Sequence, residues 1–124
     1  LSVVEEISLG KNKGIRGTLP STFGTNNAFV VLDFHETGLE GSLPASLEGL
    51  VNLRKLNMRN TGLTGSLPAT LGGLTQLEYL TLAESQLSGT IPTSLSSLQQ
   101  LRTLDIDLNR MSGAFPKWIG NLTG

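Results

Sequence analysis

Apolar residues recur along the chain in fixed columns. Leu32, Leu56, Leu80 and Leu104 stand 24 residues apart, and each is followed two residues later by Phe34, Met58, Leu82 or Ile106. A period of two turns both side chains to the same face of a short strand. Later in the unit, Leu71, Leu74 and Leu77 recur every three residues, the spacing of a 3₁₀ or short helical segment on the opposite side. Strands repeating at one period stack side by side at about 4.8 Å as a parallel sheet. No single unit can bury its apolar face, so its neighbours must cover it on both sides.

The five prolines keep the same step, each closing one tetrad: Gly17-Thr18-Leu19-Pro20, Gly41-Ser42-Leu43-Pro44, Gly65-Ser66-Leu67-Pro68, Gly89-Thr90-Ile91-Pro92 and Gly113-Ala114-Phe115-Pro116. Proline suits the first position of the convex segment, where its missing N–H costs nothing, and it holds the preceding residue extended. The glycine ahead of it is expected to supply a positive φ or a close backbone approach.

One full unit reads Leu53-x-x-Leu56-x-Met58-x-x-Thr61-x-Leu63-x-Gly65-x-Leu67-Pro68-x-x-Leu71-x-x-Leu74-x-x-Leu77. This resembles the leucine-rich repeat, and the Gly-x-Ile/Leu-Pro insert is similar to the plant-specific subclass of receptor-kinase ectodomains and secreted inhibitor proteins. The resemblance implies an α/β solenoid: a right-handed curved superhelix with a parallel concave sheet of about five strands and short 3₁₀ or helical segments on the convex side. It spans residues 1–124 as one domain, with units near 1–24, 25–48, 49–72, 73–96 and 97–120. Neither end carries the polar cap usual in a solenoid, so the expectation is part of a longer protein. The resemblance also assigns a ladder position, held here by Asn12, Thr37, Thr61, Ser85 and Asn109, which ties adjacent turns. A hydroxyl brings one donor where an amide brings two, so the middle turns should be less firmly stapled.

Two departures from the period predict local changes. The first unit, Val4-x-x-Ile7-x-Leu9-x-x-Asn12, is one residue out of step, because Ile7 precedes Leu32 by 25. The extra residue falls between Lys13 and Arg16, predicting a wider turn there. Asn26 occupies the column of Leu50, Leu74, Leu98 and Leu122, which predicts a loop in place of a helical turn around Thr25-Asn26-Asn27.

Composition narrows the function classes. Nine basic and ten acidic residues give a formal charge of −1, with no like-charge run longer than a pair. A nucleic-acid binder would show a basic stripe. There is no cysteine, hence no disulfide framework. No apolar run approaches a membrane span, and no phosphate loop or zinc spacing occurs. No cofactor and no metal are implied. The triplet Asn121-Leu122-Thr123 is a glycosylation sequon, which with the resemblance points to an extracellular or cell-surface location. Trp118 is expected to pack on the convex edge.

Strand positions that are not leucine-like must face the concave side. Aligned across units they read Glu6, Val31, Lys55, Tyr79, Thr103; then Ser8, Asp33, Asn57, Thr81, Asp105; then Gly10, His35, Arg59, Ala83, Asp107; then Lys11, Glu36, Asn60, Glu84, Leu108. Six acids stand against three bases, with Lys55 and Arg59 as a central basic band beside Tyr79. Aromatic and arginine side chains are typical interface anchors. The candidate partner-binding residues are therefore His35, Lys55, Arg59, Tyr79 and Glu84, with Asp33, Asn57, Asp105 and Asp107 around them.

Catalysis has little footing in this pattern. His35 shares its face with Asp33, but its lateral neighbours are Gly10 and Arg59, and Ser8 lies beside Asp33 instead. Asp33 and Asp105 are three strands apart, about 14 Å, too far for paired-carboxylate glycoside hydrolysis. Asp105 and Asp107, roughly 6–7 Å apart by strand rise, could hold a hard cation only loosely, even with Glu84 near. The reading is a non-enzymatic module recognising a protein or peptide, part of a larger surface protein. The alternative is a structural scaffold in a surface layer, filament or assembly, with neighbouring subunits as partners. A glycan- or ice-binding surface fits less well, because the concave columns are heterogeneous.

Overall fold

Ten short strands alternate along the chain in the computed structural model, which describes residues 3–122. The odd-numbered ones are β1 (Glu6–Ser8), β3 (Val31–Asp33), β5 (Lys55–Asn57), β7 (Tyr79–Thr81) and β9 (Thr103–Asp105). They form one five-stranded parallel sheet in sequence order. The even-numbered ones, β2 (Arg16–Thr18), β4 (Gly38–Gly41), β6 (Gly62–Ser66), β8 (Gln86–Gly89) and β10 (Arg110–Met111), form a second parallel sheet. Every strand thus pairs with its counterpart one unit away, the arrangement of a leucine-rich-repeat solenoid with the first sheet on the concave side.

The apolar columns fill the space between these sheets and the convex segments. Leu56, Met58, Leu71, Leu74, Leu77, Leu80 and Leu82 are all fully buried. The concave strands are only three residues long, so Met58 and Leu82 lie just beyond them, yet they still point inward as the period of two requires.

In the first sheet Leu32, Leu56, Leu80 and Leu104 pair in steps of 24, whereas Ile7 pairs with Leu32 in a step of 25. The extra residue is still present at Lys11, whose N–H donates to the His35 carbonyl at 2.8 Å. It has been absorbed by β2, which pairs Gly17 with Leu39 in the same 22-residue step as Gly41 with Leu63 and Gly65 with Leu87. Between them lies a turn closed by Ile15 N–H donating to the Asn12 carbonyl at 3.0 Å. That is the widened turn expected at Lys13–Arg16.

The convex segments are 3₁₀ turns: Ala45–Gly49, Ala69–Gly73, Thr93–Ser97 and Lys117–Asn121. Four of the five prolines sit one position earlier than expected, while Pro20 lies two residues ahead of the N-cap Thr22 of its turn. Pro44, Pro68, Pro92 and Pro116 are extended N-cap residues with ψ between 111° and 145°. Their carbonyls accept the first turn's N–H, as Pro44 does from Leu47 at 3.2 Å. The missing proline N–H remains harmless, because the N-cap donor has no intrahelical partner.

The second unit departs from the expected loop. A 3₁₀ turn survives at Phe23–Thr25 but is cut to three residues, and Asn26 leaves it extended at φ −98° and ψ 98°. Asn26 Oδ1 accepts the Ala28 N–H at 3.0 Å instead of its side chain entering the core. Three aromatic rings cluster in the neighbouring columns. Phe23, in the column of Leu47 and Leu71, stands 6.1 Å from both Phe29 and Phe34, within the range of favourable ring pairs.

Two glycine roles have different causes. The tetrad glycines Gly17, Gly41, Gly65, Gly89 and Gly113 all have positive φ, from 75° to 117°, as anticipated. Gly24 is fixed by contact instead: a Cβ there would lie 1.5 Å from the Ser46 carbonyl oxygen of the next convex segment. Gly24→Ala should therefore destabilise the chain by about 1–3 kcal/mol in urea unfolding. Gly14→Ala, where no atom stands within 4 Å, should change it by less than about 0.5 kcal/mol. Equal effects at the two sites would contradict the packing described.

Candidate functional site

The concave surface is built by two different pieces of backbone. The first two columns lie on the strands, while the last two lie on the turn that follows each strand. The turn has one conformation throughout: Lys11, Glu36, Asn60, Glu84 and Leu108 all adopt the left-handed region, with φ from 53° to 62°. A non-glycine residue there is uncommon and costs about 1–2 kcal/mol, so a fixed surrounding must impose it. The repeated bonds Glu36 N–H to Arg59 carbonyl, Asn60 to Ala83 and Glu84 to Asp107, each 2.8 Å, supply it.

Side chains of the second column reinforce the turn. Asp33, Asn57 and Asp105 each accept through Oδ1 the N–H two residues on, from His35, Arg59 and Asp107, at 3.2 Å. These are local Asx turns. Three residues read as ligand contacts therefore also organise their own backbone.

The ladder position lies just behind. The Asn109 amide reaches the carbonyls of Leu82, Ile106 and Asp107, and its Oδ1 accepts from Leu87 N–H at 3.0 Å. It thus binds the preceding unit at two points. Thr61 donates to the Met58 carbonyl and meets the Ser85 hydroxyl at 3.1 Å. Thr37 and Asn12 donate only to carbonyls of their own turns, Thr37 to Phe34 and Asn12 to Leu9 and Gly10.

The central basic band does not present free cations. Lys55 Nζ stands 3.4 Å from Asp33 Oδ2, and the Arg59 guanidinium pairs with Glu84 of the next unit, its Nε at 3.1 Å from Oε1. Both bases reach sideways to an adjacent unit, because stacked strands place opposite charges about 5 Å apart. His35 is held as well: its Nδ1 lies 2.6 Å from Asp33 Oδ1. Its ring covers Gly10, where a Cβ would fall 2.2 Å from ring carbon Cε1. Ser8 donates to Glu6 at 3.0 Å rather than approaching His35. Tyr79 is 40% exposed and stands between Lys55 and Thr103 in the sheet, as expected. Ala83, read as part of the face, is buried at 2%.

Several contacts were not anticipated. Lys13, in the widened turn, reaches over to unit three, with Nζ 3.1 Å from Asn60 Oδ1. Arg54 and Glu78 form a lateral ion pair along the edge of the first sheet; their 24-residue offset with opposite charge was the available signal. Trp118 packs against the core as expected. Asn121 is exposed at the end of its 3₁₀ turn, while Thr123 of the sequon lies outside the described residues. Among the described residues no helix is long and apolar enough to cross a membrane, and no three His, Asp or Glu converge to hold a metal ion.

The sequence pattern of the Leucine Rich Repeat family matches residues 52–74, 76–98 and 100–122, more than half of the chain. The chain belongs to the leucine-rich-repeat family. Its fold is similar to that of the plant peptide hormone receptor RGFR1, solved in complex with RGF2, at 34% identity and a TM-score of 0.92 over 95% of this chain and 19% of that one. It is also similar to the Arabidopsis receptor kinase HAESA, solved with the peptide hormone IDA and the co-receptor SERK1, at 38% identity and a TM-score of 0.90 over 96% of this chain and 20% of that one. The Arabidopsis BIR3–SERK2 complex matches at 31% identity and a TM-score of 0.83, covering 93% of this chain and 62% of that one. This leucine-rich-repeat chain thus spans about a fifth of the two larger receptor chains. No curated protein sequence matches it.

The electrostatics of Asp33 are measurable. Burial pushes its carboxyl upward, but the hydrogen bonds from the His35 ring and N–H, then the charges of His35 and Lys55, outweigh that. The net effect holds it below its ordinary value of 3.8. A carboxyl lowered in the folded state stabilises the fold above its unfolded value and ceases to do so as pH falls through the folded value. Urea unfolding should thus find Asp33→Asn less stable at pH 7, by about 1 kcal/mol. That difference should shrink below about pH 4. A gap that stays constant down to pH 2 would show the carboxylate to be unimportant.

Proposed function

We propose that this chain is a non-catalytic recognition module of a larger extracellular or cell-surface leucine-rich-repeat protein, binding a peptide or protein partner across the concave sheet. The observation that carries this reading is its likeness, at 34% identity, to a plant peptide hormone receptor solved in complex with RGF2 and, at 38%, to a receptor kinase solved with the peptide hormone IDA. The concave face adds physical support. Its side chains project from backbone locked by repeated hydrogen bonds and Asx turns, so little conformational entropy would be lost on binding. Exposed Tyr79 gives it one aromatic anchor.

Within this reading Tyr79 and Arg59 form the centre, with Glu84, Lys55, Asp33 and His35 as a charge-paired border. Asn57 sets the turn that carries Arg59. Asn121, exposed on its convex segment, is the proposed glycan carrier, away from the binding face.

Peptides selected from a displayed random library against the chain provide the test. Tyr79→Ala should weaken the selected peptides about tenfold or more. Arg59→Glu, which sets a carboxylate against Glu84, should do likewise, whereas Glu48→Gln on the convex side should not. If both concave variants bind as the wild type does, while Trp118→Ala abolishes self-association in sedimentation, the scaffold reading replaces this one.

A further inference from the structure

A groove of about 840 Å³ runs along the edge of the first sheet, where each convex turn leads into the next strand. Two columns of side chains line it. One holds Ala28, Asn52 and Gln76, and the other Val30, Arg54 and Glu78. Arg54 and Glu78 directly precede β5 and β7, so this edge is separate from the concave columns. The groove passes through units two, three and four, each with a neighbouring unit on both sides, and its walls are complete there.

Its polar groups are held in place without being used up. Asn52 Nδ2 donates to the Asn27 carbonyl at 2.8 Å, which fixes the amide. Among the described residues, Asn52 Oδ1 has no donor and the Gln76 amide has no hydrogen-bond partner. The Glu78 side chain is only 17% exposed, and it accepts from Arg54 Nε at 2.9 Å through Oε1. Its Oε2 receives no donor among the described residues. Arg54 gives Glu78 two of the five N–H donors of a guanidinium. The one charged pair of units three and four is thus closed on itself, and nothing there selects an anion or a cation.

We propose that this edge groove binds a neutral, extended oligosaccharide whose sugars advance from unit to unit. Free amide and carboxylate oxygens beside free N–H donors suit a ligand whose polar groups each donate and accept, and a hydroxyl does both. Ala28 and Val30 add a small apolar contact, enough for the C–H face of a sugar ring. An extended peptide would bring charged or large apolar side chains, for which the groove has neither counter-charge nor a deep apolar pocket. Units stacked at about 4.8 Å repeat the amide at a spacing close to one sugar of a β-linked chain. Consecutive sugars would therefore meet Asn52 and Gln76 in turn, and Gln100 continues the column. The concave columns, by contrast, keep no single chemistry from unit to unit. The groove lies apart from them, so glycan binding here and peptide recognition there succeed or fail separately.

Cellohexaose, xylohexaose and mannohexaose, with hexagalacturonate as the acidic comparison, titrated into the isotope-labelled chain and followed by NMR, test this. At least one neutral hexamer should bind saturably, shifting the side-chain amide signals of Asn52 and Gln76 and leaving Arg59 on the concave turn unmoved. Gln76→Ala should weaken that binding about three- to tenfold. It breaks no bond within the described residues, so the urea midpoint should stay where it is. Asn52→Ala combined with Gln76→Ala should weaken binding further, whereas Glu48→Gln on the convex side should not change it. No binding of any neutral hexamer, or binding that the double variant leaves intact, overturns the proposal. Preferential binding of hexagalacturonate also overturns it, because the groove would then be selecting charge. So does a shift of the same two amides by library-selected peptides and by no sugar, which gives the groove to a peptide. Tyr79-dependent peptide binding is read separately and decides only the concave reading.

Discussion

Each unit's leucines are covered by the units on either side, and that dependence governs everything else in this chain. Leu32, Leu56 and Leu80 are fully buried only because neighbouring strands and 3₁₀ turns stack in register. The register must be kept to one residue, since a slip by one would turn every inward side chain outward. The one extra residue is absorbed within a single turn, between Lys11 and Arg16. Above that turn the first sheet pairs in a step of 25, and below it the second sheet pairs in the usual step. The backbone tolerates the extra residue because it is taken up at Lys13–Gly14, ahead of Ile15, which keeps the column of Leu39, Leu63 and Leu87.

Stacking in strict register also fixes the chemistry of the surface. Every concave side chain has a lateral neighbour one unit away, so charges pair across units more readily than along a strand. Asp33 with Lys55, Arg59 with Glu84 and Arg54 with Glu78 all follow this rule. Exposed pairs of this kind contribute little to stability, about 0–1 kcal/mol each. Their effect is to hold long side chains in place and to decide which charges remain for a partner.

The columns of the fold were legible because they follow from period alone: leucine strands, positive-φ glycines and the widened first turn. Two local features were not. Proline was read as the first helical residue but is the N-cap, a difference of one position that missing N–H arguments cannot resolve. The segment around Thr25-Asn26-Asn27 was read as a loop in place of a helical turn, yet a shortened turn persists at Phe23–Thr25 beside the paired rings of Phe23, Phe29 and Phe34. Such clustering across columns is visible only when several positions, not one, are compared. The face itself was legible as a set of columns but not as a set of free groups. Counting Lys55 and Arg59 as a basic band took side chains one at a time, whereas their charge state toward a ligand depends on Asp33 and Glu84 one unit away.

That distinction changes what the face can recognise. A band of free lysine and arginine would favour an acidic partner. Once the lateral pairs are drawn, Lys55 is held by Asp33 and Arg59 by Glu84, so neither acts as a free cation toward a partner. The ladder is itself uneven: the firmest staple, Asn109, lies under unit five and binds unit four at two points, whereas the hydroxyls of Thr61 and Thr37 make fewer ties. Units four and five are therefore the most firmly tied by this position. A charged group held on a rigid turn keeps its position when a partner arrives, and positional constancy is what converts a modest electrostatic attraction into selectivity.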